Sequence, residues 1–136
     1  MIATALALLI AAAPTPPAKL PLHACVVRGV PAKCATMQVP ENRDTELGRT
    51  IGLRVVVIPA RRKPAQPDAF TYLAGGPGGA AASEMPAVVV ALWSRVHERH
   101  DIVLVDQRGT GGSHALECPE PESPIDTEEA LHGSGA

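Results

Sequence analysis

A chain of 136 residues allows one domain with a modest core. Its formal net charge of −2 gives no electrostatic case for binding nucleic acid or an anionic membrane surface. The 46% apolar fraction comes largely from Ala and Val, and the aromatic residues are limited to Phe70, Tyr72 and Trp93, so any core must be built from small aliphatic side chains.

Residues 3–13 form an apolar run closed by Pro14, Pro16 and Pro17. The run is shorter than the roughly 20 residues a membrane span needs. It has the length of the hydrophobic region of a secretory signal, with Ala11, Ala12 and Ala13 supplying small residues for cleavage. Residues 1–18 are therefore predicted to be a signal peptide and Pro-rich leader, and the protein to be exported to a periplasmic or extracellular space. The cysteines point the same way. Cys25 and Cys34 lie close enough in sequence to close a small disulfide loop in an oxidising compartment, leaving Cys118 over. No CxxC or His-rich spacing accompanies them, so no metal site is predicted.

Along the chain, residues 35–39 read as a short strand, followed by a polar stretch with Asn42, Asp44 and Gly48 as turn formers. Residues 50–59 read as a stronger strand, with Ile51, Leu53, Val55 and Val57 on one face and Val56 and Ile58 on the other. These two segments suggest an antiparallel hairpin. Residues 61–68 carry two prolines and three basic residues and are expected to be an exposed connection.

Residues 69–74 form a short apolar strand that runs into Gly75-Gly76-Pro77-Gly78-Gly79. Ser83 is placed to cap a helix reaching about His100. Its apolar stripe is Met85, Val88, Val89, Leu92, Trp93 and Val96, and Pro86 falls in the first turn. Residues 102–105 are a fully apolar strand. Residues 69–106 thus predict a β-loop-α-β unit with a parallel crossover. Residues 19–118 are taken as the body of the domain. Residues 119–136 are a Pro-rich, acidic tail in which a helix starts at Asp126-Thr127-Glu128-Glu129 and barely extends to Leu131, which suggests truncation.

Two glycine-rich segments carry the candidate chemistry, each at the carboxyl end of a predicted strand, where α/β proteins hold their ligands. A tetrahedral oxyanion needs backbone N–H donors that point at it. Gly75 and Gly76 can adopt the unusual backbone angles this requires, while Pro77 has no N–H and stiffens the turn. Asp106 and Arg108 sit beside glycines, and are expected to brace the second loop by an ion pair or by backbone contacts. Gly111-Gly112-Ser113-His114-Ala115 approaches Gly-x-Ser-x-Gly. It lacks the strand-to-helix turn of a nucleophile elbow, so Ser113 is not taken as a nucleophile. A different pattern, Gly-x-Gly-x-x-Ala at Gly76-Pro77-Gly78-Gly79-Ala80-Ala81 with Asp106 at the next strand end, would suit a dinucleotide-binding fragment. A non-catalytic binding fragment is the third alternative.

The segments Ala74-Gly75-Gly76-Pro77-Gly78 and Asp106-Gln107-Arg108-Gly109-Thr110-Gly111, with Ser113 following, resemble two motifs of one family. They are His-Gly-Gly-Pro-Gly and Asp-Gln-Arg-Gly-x-Gly-x-Ser of α/β-hydrolases in the prolyl aminopeptidase and tripeptidyl aminopeptidase-like group. Ala74 stands where His is typical, which resembles the exported members, as does Leu116-Glu117-Cys118. The resemblance covers about residues 22–120. It implies the N-terminal part of an α/β-hydrolase sheet, an antiparallel hairpin followed by a β-loop-α-β unit, incomplete in this chain. It also implies a serine hydrolase acting on a peptide or small acyl substrate, without a cofactor. Gly76 and Gly75 would line the oxyanion hole, and Pro77, Gly78, Asp106 and Arg108 would shape the loops. The nucleophile, acid and His would come from a missing C-terminal part of the same fold, so the chain alone is expected to be inactive.

Overall fold

A computed structural model describes residues 19–45 and 47–117. The leader, Cys118 and the acidic tail lie outside the described residues. Five strands form one sheet: β1 (His23–Val27), β2 (Val30–Pro40), β3 (Thr50–Ile58), β4 (Ala69–Thr71) and β5 (Asp101–Val105), in the order β1-β2-β3-β5-β4. Three short helices separate β4 from β5: α1 (Ala81–Glu84), α2 (Pro86–Leu92) and α3 (Ser94–His97).

The α/β-hydrolase unit implied by the motifs is corrected by this architecture. The sheet is mixed and mostly antiparallel, because β1–β2, β2–β3 and β3–β5 all pair antiparallel. Only β4 and β5 run parallel, over three residue pairs from Ala69↔Asp101 to Thr71↔Val103. The expected long helix is broken into segments of four, seven and four residues, leaving a small domain dominated by its sheet. The physical causes of the breaks are local. The first break falls at Met85, just ahead of Pro86, which has no N–H to continue the helical hydrogen bonds. The second falls at Trp93, whose φ of −108° and ψ of 36° leave the helical region. There the indole packs on Phe70 and Tyr72, with ring centroids 5.5 and 5.6 Å away. The apolar stripe is correspondingly split. Val89 is fully buried, whereas Val88 is 43% and Leu92 69% exposed.

The strand ends also differ from the sequence reading. The strand expected over 35–39 extends over Val30–Pro40, and β1 is an additional partner on its outer side. The β1–β2 turn places Arg28 and Gly29 at φ of 51° and 78°, the positive angles that suit a tight two-residue hairpin turn. Cys25 and Cys34 form a disulfide across this hairpin, with Cα atoms 5.9 Å apart.

The core lies between the helices and one face of the sheet. Cys34, Val56 and Leu104 lie side by side on adjacent strands, flanked by Ala32, Ile58 and Ile102 and covered by Ala81, Ala82 and Val89. At the end of α3, the 59–68 segment is tied down through its backbone. The amides of Arg61, Arg62 and Gln66 donate to the carbonyls of His97, Glu98 and Arg99 at 3.1, 2.9 and 2.8 Å. Carbonyls left without partners at a helix end are thereby satisfied.

Candidate functional site

The two glycine-rich segments meet beside the carboxyl ends of β4 and β5. The first leaves β4 through Tyr72, Leu73 and Ala74, turns through exposed Gly75–Gly78, and enters α1 at buried Ala80 and Ala81. Gly76 and Gly78 have φ of 143° and 92°, angles that glycine adopts without the penalty a Cβ imposes. The turn is closed by the Gly79 amide donating to the Gly75 carbonyl at 3.2 Å. Among the described residues, the amides of Gly75 and Gly76 have no protein acceptor. Pro77 separates them from Gly78 and adds no donor.

The second segment is organised by Asp106, which is fully buried. Its Oδ1 accepts hydrogen bonds from the amides of Ala82 at 2.7 Å and Ser83 at 3.0 Å. Its Oδ2 accepts from the Ser83 hydroxyl and, at 2.9 Å, from the Gly112 amide. The helix cap that Ser83 was expected to supply is thus reversed. Helix α1 begins after Ala80, which provides no side-chain cap, and Ser83 donates to the carboxylate that satisfies the helix start. These contacts leave neither oxygen of Asp106 for a ribose, the role the dinucleotide pattern would give it.

Ser113 is fully buried as well. Its hydroxyl donates to the Asp106 carbonyl at 2.8 Å and accepts from the Arg54 amide at 2.8 Å. Backbone bonds from Gly109 to the Ser113 carbonyl and from Ser113 to the Thr110 carbonyl close the turn around it. Gly111, at φ 44°, lies so close that a Cβ there would stand 2.6 Å from both Asp106 Oδ2 and the Ala80 Cβ. Ser113 is therefore part of the loop's internal framework, inaccessible to a substrate carbonyl.

Arg108 turns away from Asp106. Its guanidinium donates to the carbonyls of Glu41 at 3.0 Å and Pro40 at 2.9 Å, which ties the loop to the end of β2. Of the two expected kinds of bracing, both residues use backbone contacts, and they do not pair with each other. Arg108 also borders two open clefts. One, of about 380 Å³, is lined by Leu53, Leu73 and Val105 with Arg43 and Gln107. The other, of about 310 Å³, lies against Ile51 and Leu116 beside the Glu41–Arg49 ion pair. The hydrogen bond from Arg49 holds the Glu41 carboxyl below the ordinary glutamate range. Among the described residues there is no group of three His, Cys, Asp or Glu side chains placed to hold a metal ion.

The sequence pointed to Asp106 as a brace, yet its principal partners escaped the reading. Ala82 and Ser83 lie more than twenty residues upstream, and no local pattern at Asp106 indicates them. Ala80 is a poor N-cap, so the first amides of the helix had to find an acceptor elsewhere.

No protein-family model matches this chain, and a search of the curated proteins likewise finds no match.

Proposed function

We propose that this chain supplies the oxyanion loop of an exported serine hydrolase of the prolyl aminopeptidase kind, acting on peptide or small acyl substrates. The observation that carries the reading is the pair of exposed Gly75 and Gly76 amides beyond β4, which have no protein acceptor among the described residues. Such amides suit a charge that develops on a carbonyl oxygen during acyl transfer, because they are held in place before the charge appears. The order of the two motifs, Ala-Gly-Gly-Pro-Gly before Asp-Gln-Arg-Gly, adds support.

Ser113 cannot serve as nucleophile where it lies, since both its donor and its acceptor capacity are engaged in a buried turn. On this proposal the attacking serine, its histidine and the orienting acid come from elsewhere in the full hydrolase, and the chain by itself is expected to be inactive.

The test begins with the DNA beyond the codon for Ala136, read in all three frames for a Gly-x-Ser-x-Gly segment. A product containing that segment together with this chain should react with a fluorophosphonate at the new serine. Gly76→Ala keeps the N–H but disfavours the φ of 143° that aims it, and should slow the reaction by up to about a hundredfold, the effect of losing an oxyanion donor. Absence of any such encoded serine, or labelling of the present chain at Ser113, would overturn the proposal.

A further inference from the structure

We propose that Asp106 is the positioning residue of the glycine loop, fixing the direction of the Gly75 and Gly76 amides from the exit of the neighbouring strand β5. The proposal rests on reading that loop as the oxyanion site, although its test measures the loop itself.

The loop has two anchors. At its start, β4 is held by parallel pairing of Thr71 with Val103, reinforced by the Thr71 hydroxyl donating to the Val103 carbonyl at 2.8 Å. At its end, the chain must be held at Ala80 and Ala81, both buried. Helix α1 cannot do this alone. It has four residues and no side-chain N-cap, and a single turn has too few internal hydrogen bonds to persist unaided. What fixes it is the Asp106 carboxylate, which accepts from Ala82, from Ser83 twice, and from Gly112.

Each oxygen of this carboxylate has a separate duty. Oδ1 binds the two backbone amides at the start of α1. Oδ2 joins the Ser83 hydroxyl to the Gly112 amide, so the same group locks the second loop against the first. Gly111 lets the two approach, since any side chain there would collide with Asp106 Oδ2 and Ala80. Asp106 itself is carried on β5, whose pairing with β3 continues in the Asp106 amide donating to the Arg54 carbonyl at 3.1 Å. The carboxylate thus transmits the rigidity of the sheet to an exposed loop that has little of its own.

Asp106→Asn keeps the shape but replaces one acceptor with a donor that faces N–H groups. The readout is the orientation and order of individual N–H bonds in the isotopically labelled full chain, from residual dipolar couplings and relaxation. In the unaltered chain, Gly75 and Gly76 should show order parameters close to the rigid value of about 0.85. In Asp106→Asn they should fall below about 0.6, with couplings averaged towards zero, while β2, β3 and β5 keep theirs. A merely structural role would lower overall stability and leave these couplings unchanged below the melting transition. Ser83→Ala, which removes one donor only, provides a milder variant should Asp106→Asn not fold. It should produce a smaller change in the same residues. Unchanged Gly75 and Gly76 couplings in a folded variant, or a loop already disordered in the unaltered chain, would overturn the proposal. Because no hydrolysis is measured, failure here is separate from failure of the fluorophosphonate experiment, which judges the oxyanion reading itself.

Discussion

The Ser113 hydroxyl accepts a hydrogen bond from the Arg54 amide at 2.8 Å, so a residue next to a histidine in a glycine-rich loop acts as a structural peg. Removing it in Ser113→Ala strips a partner from the Arg54 N–H and from the Asp106 carbonyl, which is buried with it. The expected cost is about 1–3 kcal/mol, the penalty for leaving such groups unsatisfied. Urea denaturation of the two proteins measures it. In the same preparation, the unaltered chain should remain unlabelled by a fluorophosphonate at Ser113.

Glycine substitutions should separate strain from crowding. Gly48 has φ of 91° with open space around its would-be Cβ, so Gly48→Ala carries the backbone penalty of about 1–2 kcal/mol alone. Gly111→Ala adds contacts of 2.6 Å with Asp106 and Ala80, and should be more destabilising than Gly48→Ala. Melting curves of the two variants side by side give the order, and equal losses would contradict the tight packing at Gly111.

Reduction of the Cys25–Cys34 disulfide should lower stability by about 2–3 kcal/mol, on the loop-closure account of a short cross-link. Cys25→Ser with Cys34→Ser should reproduce the loss without reductant. Thiol titration of the unfolded chain should rise by two equivalents when the protein is reduced first.

Glu41 provides a pH signature. Its carboxyl is held low chiefly by the hydrogen bond from Arg49, with the charges of Arg49, Arg108 and His114 adding to it. A depressed folded value means that the contribution is present above the ordinary glutamate range and is lost as pH falls through the folded value. The group is exposed, so the effect on overall stability should be small. Carbon-detected titration of Glu41 should show a midpoint below that of an ordinary glutamate, and Arg49→Ala should move it upward.

The sequence revealed strands more readily than their arrangement. β3 and β5 were legible because their apolar runs leave no other use for Val56, Ile58, Ile102 and Leu104, all of them buried. β1 was missed. His23-Ala24-Cys25-Val26-Val27 is largely exposed at the sheet edge, and Val26, apolar yet 70% exposed, hides the alternation that turns Cys25 and Val27 to the core. The helical stripe was read as continuous because periodicity does not record what Pro86 and Trp93 do to the backbone. At the candidate site, the glycines of the first loop were visible from composition alone. The bonds that hold them were hidden, because the carboxylate responsible belongs to β5's exit and its partners to the start of α1.

The seam between the 59–68 segment and the end of α3 is made by three amides and three carbonyls. Arg61 and Arg62 add exposed ion pairs to Glu98 at 3.4 and 2.8 Å, but the three main-chain bonds need no particular side chain at positions 61, 62 and 66. Over generations, changes of charge at those positions would cost ion pairs that are worth little at an exposed surface and leave the main-chain join in place. The one replacement it forbids at those three positions is proline, which would delete a donor each time.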